Sequence, residues 1–447
     1  MKTYENMKSS TVFWLGMIPE HWDCLKIGSL FSQRKVKVSD KDYAPLSVTK
    51  KGILPQLENA AKTNDGDNRK LVCAGDFVIN SRSDRKGSCG VSELDGSVSL
   101  INLVLTPRNE WNNRYAHYLL RSQPFSEEYY RYGRCIVADL WTTRFSEMKN
   151  ILIPVPPREE QDQIVRFLDW KVSEINRLIN IKRKEIAVLK EQFAVYISKI
   201  IVSGVADNPS MKPCDIEWIG AIPAHWKAMR CKYLFSERDE RSAEGKETHL
   251  SMSQKFGLIP DDQLGERRML SESYAGAKIC YKNDLVLNRL KAHLGVFALA
   301  PQTGVISPDY TVLIPNTDRI LPEFAEMVLK SQRCRGELRI RVRGVTEGFW
   351  RLYTDDFNTI TIPVPPLEEQ QQIMEAVSNY MDRIKQYEGC LTKEIEVLHE
   401  FKTRLISDVA TGKIDVRGIE IPEYEYTAEE ADSDSETEAE ELDEEEE

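Results

Sequence analysis

The sequence of 447 residues lacks the short motifs that accompany catalysis in a single chain. It contains no GxGxxG or GxxxxGKS/T loop for nucleotide phosphates, no HExxH zinc motif and no GxSxG nucleophile turn. An Asn-Pro-Pro-Tyr or Asp-Pro-Pro-Tyr run, which could hold a flipped base for methyl transfer, is also missing. The six histidines are dispersed. These absences predict a protein without a catalytic centre, a metal site or a cofactor of its own.

The sequence also has little that would place it in a membrane. Its apolar runs are far shorter than the ~20 residues that a spanning helix needs, and no secretory signal is recognisable. The nine cysteines show neither CxxC nor metal-ligand spacing, which is typical of reduced thiols. We therefore predict a cytoplasmic protein that does not bind membranes.

The overall charge gives a misleading impression of the chain. The formal net charge is −11, yet sixteen acidic residues and no basic ones lie within residues 420–447. The rest of the chain has 60 basic and 55 acidic residues, a balance that permits nucleic-acid binding without requiring it. Residues 413–447 have almost nothing apolar to bury and are predicted to form a disordered acidic tail.

An internal repeat dominates the rest of the sequence. Residues 7–22 return as residues 211–226, after 204 positions, and residues 153–161 return as 362–370, after 209 positions. A repeating unit of this length is a whole domain plus a helix, far longer than a solenoid repeat. One polypeptide therefore carries two copies of one structural unit, which suits a target that is itself bipartite.

Each copy begins with the signals of a mixed α/β domain. Strand-like runs are predicted over residues 76–80 and 98–105, and over 284–288 and 305–314 in the second copy. The Trp-x-Gly-x-Ile-Pro-x-x-Trp openings are predicted to be buried anchors, with His21 and His225 as scaffold residues beside them. The acids after each Pro-rich segment, Glu159, Glu160, Glu368 and Glu369, are predicted to start a helix rather than to catalyse a reaction.

A heptad pattern follows each Pro-rich segment. Apolar residues alternate at spacings of four and three for about four heptads, which is long enough for a coiled coil. Lys182, Glu388 and Lys402 are polar residues in this seam and can fix its register. Antiparallel pairing is predicted, because a parallel pair would force the chain to return over about 50 Å. The residues assigned to the coiled-coil spacer are Val172, Ile175, Ile179, Ile186, Leu189, Phe193, Met381, Ile384, Leu391, Ile395, Leu398 and Leu405.

The two copies differ in the loops that follow their matched strands, residues 81–87 and 289–295. Arg, Lys, Asn and Ser side chains in such loops can pair with guanine, adenine or phosphate oxygens. One basic residue is commonly a solvated surface charge, but a set carried on two equivalent scaffolds favours DNA contact. The candidates in the first copy are Thr49, Lys50, Lys51, Arg69, Lys70, Asn80, Ser81, Arg82, Arg85, Lys86, Thr142, Thr143 and Arg144. Those in the second copy are Ser253, Gln254, Lys255, Arg267, Arg268, Asn288, Arg289, Lys291, His293, Arg339, Arg341, Arg343 and Arg351.

Taken in order and twice over, these motifs resemble the specificity subunit of Type I restriction-modification systems, from about Met7 to Arg417. The resemblance rests on the two Trp-rich openings, the two Ile-Pro-Val-Pro-Pro-x-Glu-Glu-Gln segments and the helical motifs at residues 184–191 and 393–400. It implies a non-catalytic DNA-binding subunit for DNA modification and host defence. Each of two target recognition domains would bind one half of a split, asymmetric sequence, and the helices would set the gap.

The resemblance also implies partners and their cofactors. Two methylation subunits that use S-adenosylmethionine would dock on the paired helices, and restriction/translocase subunits would need ATP and Mg²⁺. Nothing in the family pattern corresponds to the acidic tail.

The predicted fold class is α/β (α+β), with an internal pseudo-twofold repeat. Two mixed α/β target recognition domains are separated by two long helices that form an antiparallel coiled coil. The predicted divisions are residues 1–157 and 204–366 for the domains, 158–203 and 367–412 for the helices, and 413–447 for the tail.

Two other interpretations stay open at this point. A self-sufficient DNA methyltransferase or nuclease would need its own site, and residues 169–171 and 244–246 match only part of a nuclease carboxylate–lysine pattern. A coiled-coil adaptor without sequence preference would share the helices. Competition between a labelled specific duplex and bulk DNA would distinguish such an adaptor from a protein that binds a specific sequence.

Overall fold

The computed structural model describes residues 2–56, 66–108, 111–137, 140–253, 256–263, 274–344 and 350–428. The chain divides into two compact units. Unit 1 takes in residues 1–184 and 391–447, and unit 2 takes in residues 185–390.

Unit 1 is built from short strands and short helices. The strands are β1 (Met7–Ser9), β2 (Met17–Pro19), β3 (Asp23–Lys26), β4 (Phe31–Gln33), β5 (Lys37–Val38), β6 (Leu46–Thr49), β7 (Gly52–Pro55), β8 (Arg69–Val72), β9 (Phe77–Asn80), β10 (Cys89–Val91), β11 (Gly96–Val98), β12 (Asn102–Pro107), β13 (Arg134–Val137), β14 (Leu140–Thr142) and β15 (Leu152–Val155). The helices are α1 (Ile27–Leu30), α2 (Asn113–Leu119), α3 (Gln123–Arg131), α4 (Phe145–Met148) and the long α5 (Arg158–Ser203), whose last residues belong to unit 2.

Unit 2 repeats this plan. Its strands are β16 (Met211–Pro213), β17 (Ala221–Pro223), β18 (Lys227–Arg230), β19 (Phe235–Arg238), β20 (Leu250–Ser253), β21 (Gly257–Pro260), β22 (Lys278–Cys280), β23 (Leu285–Asn288), β24 (Phe297–Leu299), β25 (Gly304–Ile306), β26 (Tyr310–Pro315) and β27 (Thr361–Val364). Its helices are α6 (Pro322–Lys330), α7 (Gln332–Arg339), α8 (Thr354–Thr359) and the long α9 (Leu367–Ala410), whose last residues belong to unit 1.

The central sheet has the same strand order in both units. The order is β10-β9-β12-β4 in unit 1 and β24-β23-β26-β19 in unit 2, and every pair is antiparallel. A buried carboxylate precedes each central strand: Asp76 Oδ2 accepts from Arg34 Nε at 2.7 Å, and Asp284 Oδ2 accepts from Arg238 Nε at 2.8 Å. Each buried charge is thus paired, which removes most of its desolvation cost.

Two of the predicted strand runs are each two strands. Residues 98–105 hold the end of β11 and most of β12, which pair with β8 and β9 in different sheets. A turn separates them, closed by the Asn102 N–H donating to Ser99 O at 3.0 Å. In unit 2 the Tyr310 N–H closes the same turn on Ser307 O at 3.1 Å. The prediction of one strand over residues 98–105 was wrong because its turn, residues 99–102, contains neither glycine nor proline. The prediction of one strand over residues 305–314 was wrong because it passed over the turn signal of Pro308.

The tryptophans of the repeat openings anchor the ends of the long helices. Trp22 and Trp226 are both 0% exposed. A Cβ on Gly412, just after α9, would lie 2.8 Å from Trp22, and a Cβ on Gly204, just after α5, would lie 3.0 Å from Trp226. Both glycines have positive φ, 78° and 69°, a conformation that glycine adopts without a steric penalty. Each unit therefore holds the C-terminal end of one long helix.

The acids predicted to start the helices make structural contacts. Glu160 Oε1 accepts from the Tyr4 hydroxyl at 2.6 Å, and its Oε2 lies 2.7 Å from His21 Nε2. Glu369 Oε2 lies 2.7 Å from His225 Nε2 and accepts from Trp226 Nε1 at 2.9 Å. All four predicted acids lie in the first turns of α5 and α9, which confirms the helix starts, and the contacts of His21 and His225 confirm these histidines as scaffold residues.

Within unit 1 the first part of α5 packs antiparallel to the last part of α9. Lys402 Nζ donates to Asn176 Oδ1 at 3.2 Å, and Lys182 forms an ion pair with Glu394. Residues further along α5 therefore contact residues earlier in α9, as expected for an antiparallel pair. Both predicted polar seam lysines therefore have a partner on the other helix. The seam residues here are buried or partly buried: Val172, Ile175, Ile179, Leu391, Ile395, Leu398 and Leu405.

Within unit 2 the last part of α5 packs in the same sense against the first part of α9. Lys190 Nζ lies 3.8 Å from Glu388 Oε1. The rings of Tyr196 and Tyr380 have centroids 4.4 Å apart. The seam residues of this unit are partly buried: Ile186, Leu189, Phe193, Met381 and Ile384.

The chain beyond α9 departs from the predicted disordered tail as far as residue 428. Val416 is fully buried, and Ile414, Ile419 and Ile421 pack against the unit 1 core. Gln163 Nε2 on α5 donates to Ile419 O at 2.8 Å. These apolar residues are diluted by the acidic composition around them, so a prediction from composition missed them. We call residues 418–428 the strap; residues 429–447 lie outside the described part of the chain.

Candidate nucleic-acid interface

In unit 1 the loop after the central strand β9 lies against the β13–β14 hairpin. Asn80 Oδ1 accepts the Arg82 N–H at 3.0 Å, which shapes the start of the loop. Ser81 Oγ donates to Ile101 O at 2.5 Å, and Thr142 Oγ1 donates to Ser81 Oγ at 3.2 Å. The backbones of Arg82 and Thr142 also pair. Asn80, Ser81 and Thr142 thus fix the backbone of this loop.

The basic residues of the loop are Arg82, Arg85 and Lys86. The guanidinium groups of Arg82 and Arg85 form no hydrogen bond or ion pair with any residue the structure describes. Arg85 and Lys86 are exposed, and Lys86 Nζ lies 5.6 Å from the centroid of the Tyr130 ring. Free cations on a fixed backbone can pair with phosphates or with guanine edges.

Three of the predicted contacts in unit 1 belong to the scaffold instead. Arg69 is 6% exposed, and its Nε donates to Ser97 Oγ at 2.8 Å. Lys70 Nζ donates to Asn102 O at 2.6 Å, and the fully buried Thr143 donates to a backbone carbonyl. Burial lowers the pKa of both Arg69 and Lys70. Arg69 is buried and Lys70 partly buried on β8, and both side chains bind within the fold, which basic composition alone does not reveal.

The remaining unit 1 candidates are at the surface. Thr49, Lys50 and Lys51 lie at the turn between β6 and β7, where Thr49 Oγ1 accepts the Lys51 N–H at 3.1 Å. Arg121 donates to Lys50 O and supports the turn. The side chains of Lys50, Lys51 and Arg144 are exposed, so they remain available to a phosphate backbone.

In unit 2 the equivalent loop is held by a different set of contacts. Asn288 Oδ1 accepts the Leu290 N–H at 3.1 Å. Arg289 Nε donates to Asp309 O at 2.6 Å, and the Leu352 N–H donates to Arg289 O at 2.9 Å. In unit 1 the Ser81 hydroxyl binds the equivalent carbonyl, that of Ile101, so Arg289 in unit 2 takes the place of Ser81. The loops are held at equivalent positions in the two units, but their exposed side chains differ.

A pair of arginines marks the hairpin position in unit 2. The backbones of Arg343 and Arg351 exchange two hydrogen bonds, of 2.9 and 2.8 Å. The Arg343 side chain pairs with Asp356. Asp309 Oδ1 lies 3.7 Å from an Arg351 nitrogen and 3.9 Å from an Arg289 nitrogen. The carboxylates therefore pre-position three guanidinium groups.

The other unit 2 candidates divide between surface and scaffold. Arg341 Nε donates to Thr359 Oγ1 at 3.1 Å, and its NH1 lies 2.5 Å from Glu337 Oε1, so Arg341 is used within the fold. Arg339 is exposed and Lys291 partly buried. The His293 ring stands edge-on to Trp350, and burial, aided by the Arg339 charge, lowers the pKa of His293.

Several predicted residues cannot be placed on this surface. Ser253 ends β20, and its Oγ accepts the Phe256 N–H at 3.3 Å. Gln254, Lys255, Arg267 and Arg268 lie outside the described residues.

The prediction missed two residues of the unit 1 hairpin. Arg134 pairs by backbone with Thr142, as Arg343 pairs with Arg351, and its side chain is 76% exposed. Trp141, 46% exposed, follows on the same hairpin. The repeat could have identified Arg134, because it lies 209 residues before Arg343, the same offset that relates the Pro-rich segments.

Neither a metal site nor a membrane span is found in the described ranges. Among those residues no group of three or more His, Cys, Asp and Glu side chains could hold a metal ion. In the same part of the chain no helix has the length and apolar character needed to cross a bilayer.

Comparison with known proteins decides the family. The model of the Type I restriction modification DNA specificity domain matches residues 19–191 and again residues 266–397. The chain belongs to this family. As a Type I specificity protein, it is a DNA-recognition subunit and is not itself catalytic.

Individual specificity proteins are similar over most of the chain. The putative type I restriction enzyme MjaX specificity subunit of Methanocaldococcus jannaschii is 24% identical over 92% of this chain and 97% of its own length. The MjaVIII specificity subunit of the same organism is 24% identical over 61% of this chain and 64% of its own.

One solved structure shows a similar fold. A chain from a study of complex assembly and conformational transition of the type I R-M system has a TM-score of 0.59 and 15% sequence identity. The match covers 89% of this chain and 99% of that one.

Proposed function

We propose that this chain binds double-stranded DNA at a bipartite, asymmetric target, with one half-site contacted by each unit. One observation carries the proposal: the same loop-and-hairpin surface occurs once in each unit with different basic residues. Unit 1 presents Arg82 and Arg85, which form no hydrogen bond or ion pair with a described residue, and Lys86, which lies over the Tyr130 ring. Unit 2 instead presents Arg289, Arg343 and Arg351 beside carboxylates. Equivalent scaffolds with unlike side chains favour two half-sites of different sequence.

The paired helices are proposed to set the gap between the half-sites. Each helix is continuous through both units, and half-sites on one face of a duplex lie about 34 Å apart. The ion pair of Lys182 with Glu394 and the contact of Lys402 with Asn176 fix the register of the pair within unit 1. A fixed register gives a fixed gap.

The proposal includes partners, because a recognition subunit needs others to act on the DNA. Two methylation subunits with S-adenosylmethionine are proposed to dock on the paired helices and to modify adenine. Restriction/translocase subunits, with ATP and Mg²⁺, are proposed to complete the assembly. The proposed place of action is the cytoplasm.

Mapping methylated adenines in the host genome tests the target directly. We expect one split motif with unlike halves and a constant gap, lost when the gene for this chain is deleted. An unsplit motif, or methylation that survives the deletion, would overturn the proposal. Methyl transfer or DNA cleavage by the isolated chain, with S-adenosylmethionine or Mg²⁺ alone, would show instead a self-sufficient enzyme.

Single substitutions test the division between units. Arg82→Ala should relax one half-site and Arg289→Ala the other, by about 1–3 kcal/mol for a side chain that contacts a base. The exposed Lys282→Ala, outside the candidate surface, is the matched control. A uniform loss over all sequences would reassign that arginine to phosphate binding, and a change in the opposite half would contradict the assignment.

A further inference from the structure

The strap lies along one stripe of α5. Ser173, Asn176 and Asn180 recur at spacings of three and four, so they share one face of the helix. The Ser173 hydroxyl donates to Glu425 O at 3.0 Å and accepts the Thr427 N–H at 2.7 Å. Asn176 and Asn180 donate to the carbonyls of Thr427 and Ala428 at 3.1 and 2.9 Å. This face therefore binds an extended peptide through its backbone.

The strap runs parallel to α5 in an extended conformation. From Gln163, which binds Ile419, to Asn180, which binds Ala428, α5 rises about 26 Å. The strap covers the same distance with nine residues, about 30 Å when extended. The helix side chains that bind it are themselves buried: Ser173 is 2% exposed, Asn176 5% and Asn180 4%.

The repeat-equivalent face of α9 in unit 2 is chemically different. Moving 209 positions along the chain replaces Ser173, Asn176 and Asn180 by Asp382, Lys385 and Gly389. All three of these residues are exposed. The repeat-equivalent positions of the two helices thus carry different side chains on this outer face.

We propose that the strap occupies, in cis, one of two repeat-equivalent docking faces for methylation subunits. This inference rests on the proposed function, which assigns those subunits to the paired helices. A methylation subunit can bind the exposed unit 2 face directly, but it must displace the strap to bind the unit 1 face. The two sites therefore fill in order, unit 2 first.

Backbone recognition makes the strap displaceable. The hydrogen bonds from α5 reach strap carbonyls, while the strap side chains Glu423, Tyr424, Glu425 and Tyr426 are exposed. Any partner segment with an extended backbone can satisfy the same Ser and Asn donors, so exchange leaves no buried donor unpaired. The exposed acids of the strap add little to its own hold on α5.

Three forms of the chain test the proposal: the full chain, a chain ending at Ala428 and a chain ending at Arg417. Titration with a purified methylation subunit, followed by calorimetry and native mass spectrometry, gives the affinity of each binding step. We expect two unequal steps for the full chain and for the chain ending at Ala428, with the second weaker by roughly tenfold. The chain ending at Arg417 should bind two subunits with equal affinity.

A double substitution in the strap of the full chain, Ile419→Asp with Ile421→Asp, guards against misfolding of the truncated chain. It leaves the Ser and Asn donors of α5 intact and should also strengthen the second step. Glu423→Ala with Glu425→Ala, which changes only exposed acids of the strap, is the matched control and should leave the second step weak. Equal affinities for the two binding steps in the full chain would contradict the role of the strap. A stronger second step in the chain ending at Ala428, which lacks only residues 429–447, would contradict it too. Failure of every form to bind a methylation subunit would instead refute the proposed function.

Discussion

The Glu160 carboxylate, with a side chain only 5% exposed, lies 2.7 Å from the imidazole of His21. The second carboxylate oxygen accepts a hydrogen bond from the Tyr4 hydroxyl. One acid in the first turn of α5 thus fastens the start of that helix to the N-terminal anchor of unit 1. The contact is structural, and its loss should appear as lost stability rather than lost specificity.

Glu160→Gln should lower the free energy of unfolding of unit 1 by about 1–3 kcal/mol, because it weakens two hydrogen bonds to a buried charge. Urea denaturation combined with hydrogen exchange of unit 1 amides measures the loss. The neighbouring Glu159→Gln is the control, since Glu159 is exposed in the same helical turn. Equal losses in the two variants would contradict a specific role for Glu160.

Gly412→Ala should destabilise unit 1 by more than 1 kcal/mol, because the new methyl group meets Pro19 and Trp22 at a positive φ. Gly389→Ala, in the interior of α9, is the control. A Cβ there meets nothing within 4 Å, and alanine is the better helix former by roughly 0.5–1 kcal/mol. Thermal unfolding should therefore shift in opposite directions for the two variants; a shift in the same direction would refute the anchoring role.

His117 should make unit 1 sensitive to acid. Burial lowers the pKa of His117 to about 3 in the folded chain, whereas an unfolded histidine titrates near 6.5. The neutral imidazole therefore contributes stability that is fully present above pH 6.5 and is lost progressively as the pH falls toward 3. Between pH 7 and 5 the loss should be about 2 kcal/mol.

Replacement of this histidine isolates its contribution from that of the carboxylates. His117→Gln should flatten the dependence of the unfolding free energy on pH over the range from 7 to 5, measured by urea denaturation at each pH. Parallel curves for the two proteins would show that His117 is protonated as readily in the folded as in the unfolded chain.

Heptad insertion tests the proposed spacing role of the helices. Adding seven residues to α5 after Lys182 and seven to α9 before Glu394 keeps the seam in phase and lengthens the pair by about 10 Å. The tolerated gap should then widen by about three base pairs, at about 3.4 Å each, with both half-sites unchanged. Methylated-adenine mapping reports both quantities. A new half-site sequence at constant gap would contradict the assignment.

The parts of the fold that repeat or follow a regular period were predictable from the sequence. The seam residue Ile175 and the ends of α5 follow from heptad spacing and the Pro-rich segment, because both are local signals. The inward-facing Arg69 was not predictable, since the direction of a side chain on a short strand depends on which sheet face is covered. The strap was missed for a related reason: its hydrogen bonds reach α5 across more than 240 residues of chain.

The candidate site was predictable as a location but not as a set of contacts. Loop position and basic composition located Arg82 and Arg289, whereas the carbonyl that holds Arg289, on Asp309, belongs to a turn 20 residues away. Arg134 was overlooked because its strand is too short to show an alternating pattern. Aligning the two copies residue by residue would have found it.

The pairing of Lys2 with Asp415 has a topological consequence. The Asp415 N–H donates to Lys2 O at 2.9 Å, so two chain segments meet in unit 1 where unit 2 runs without interruption from Gly204 to Met211. A flexible linker between the segment that follows α9 and the residues before Lys2, with the chain opened between Asp207 and Ser210, would give a circular permutant in which the two repeats follow in the opposite order. In that permutant the pairing of Lys2 with Asp415 would be kept, whichever repeat comes first in the chain.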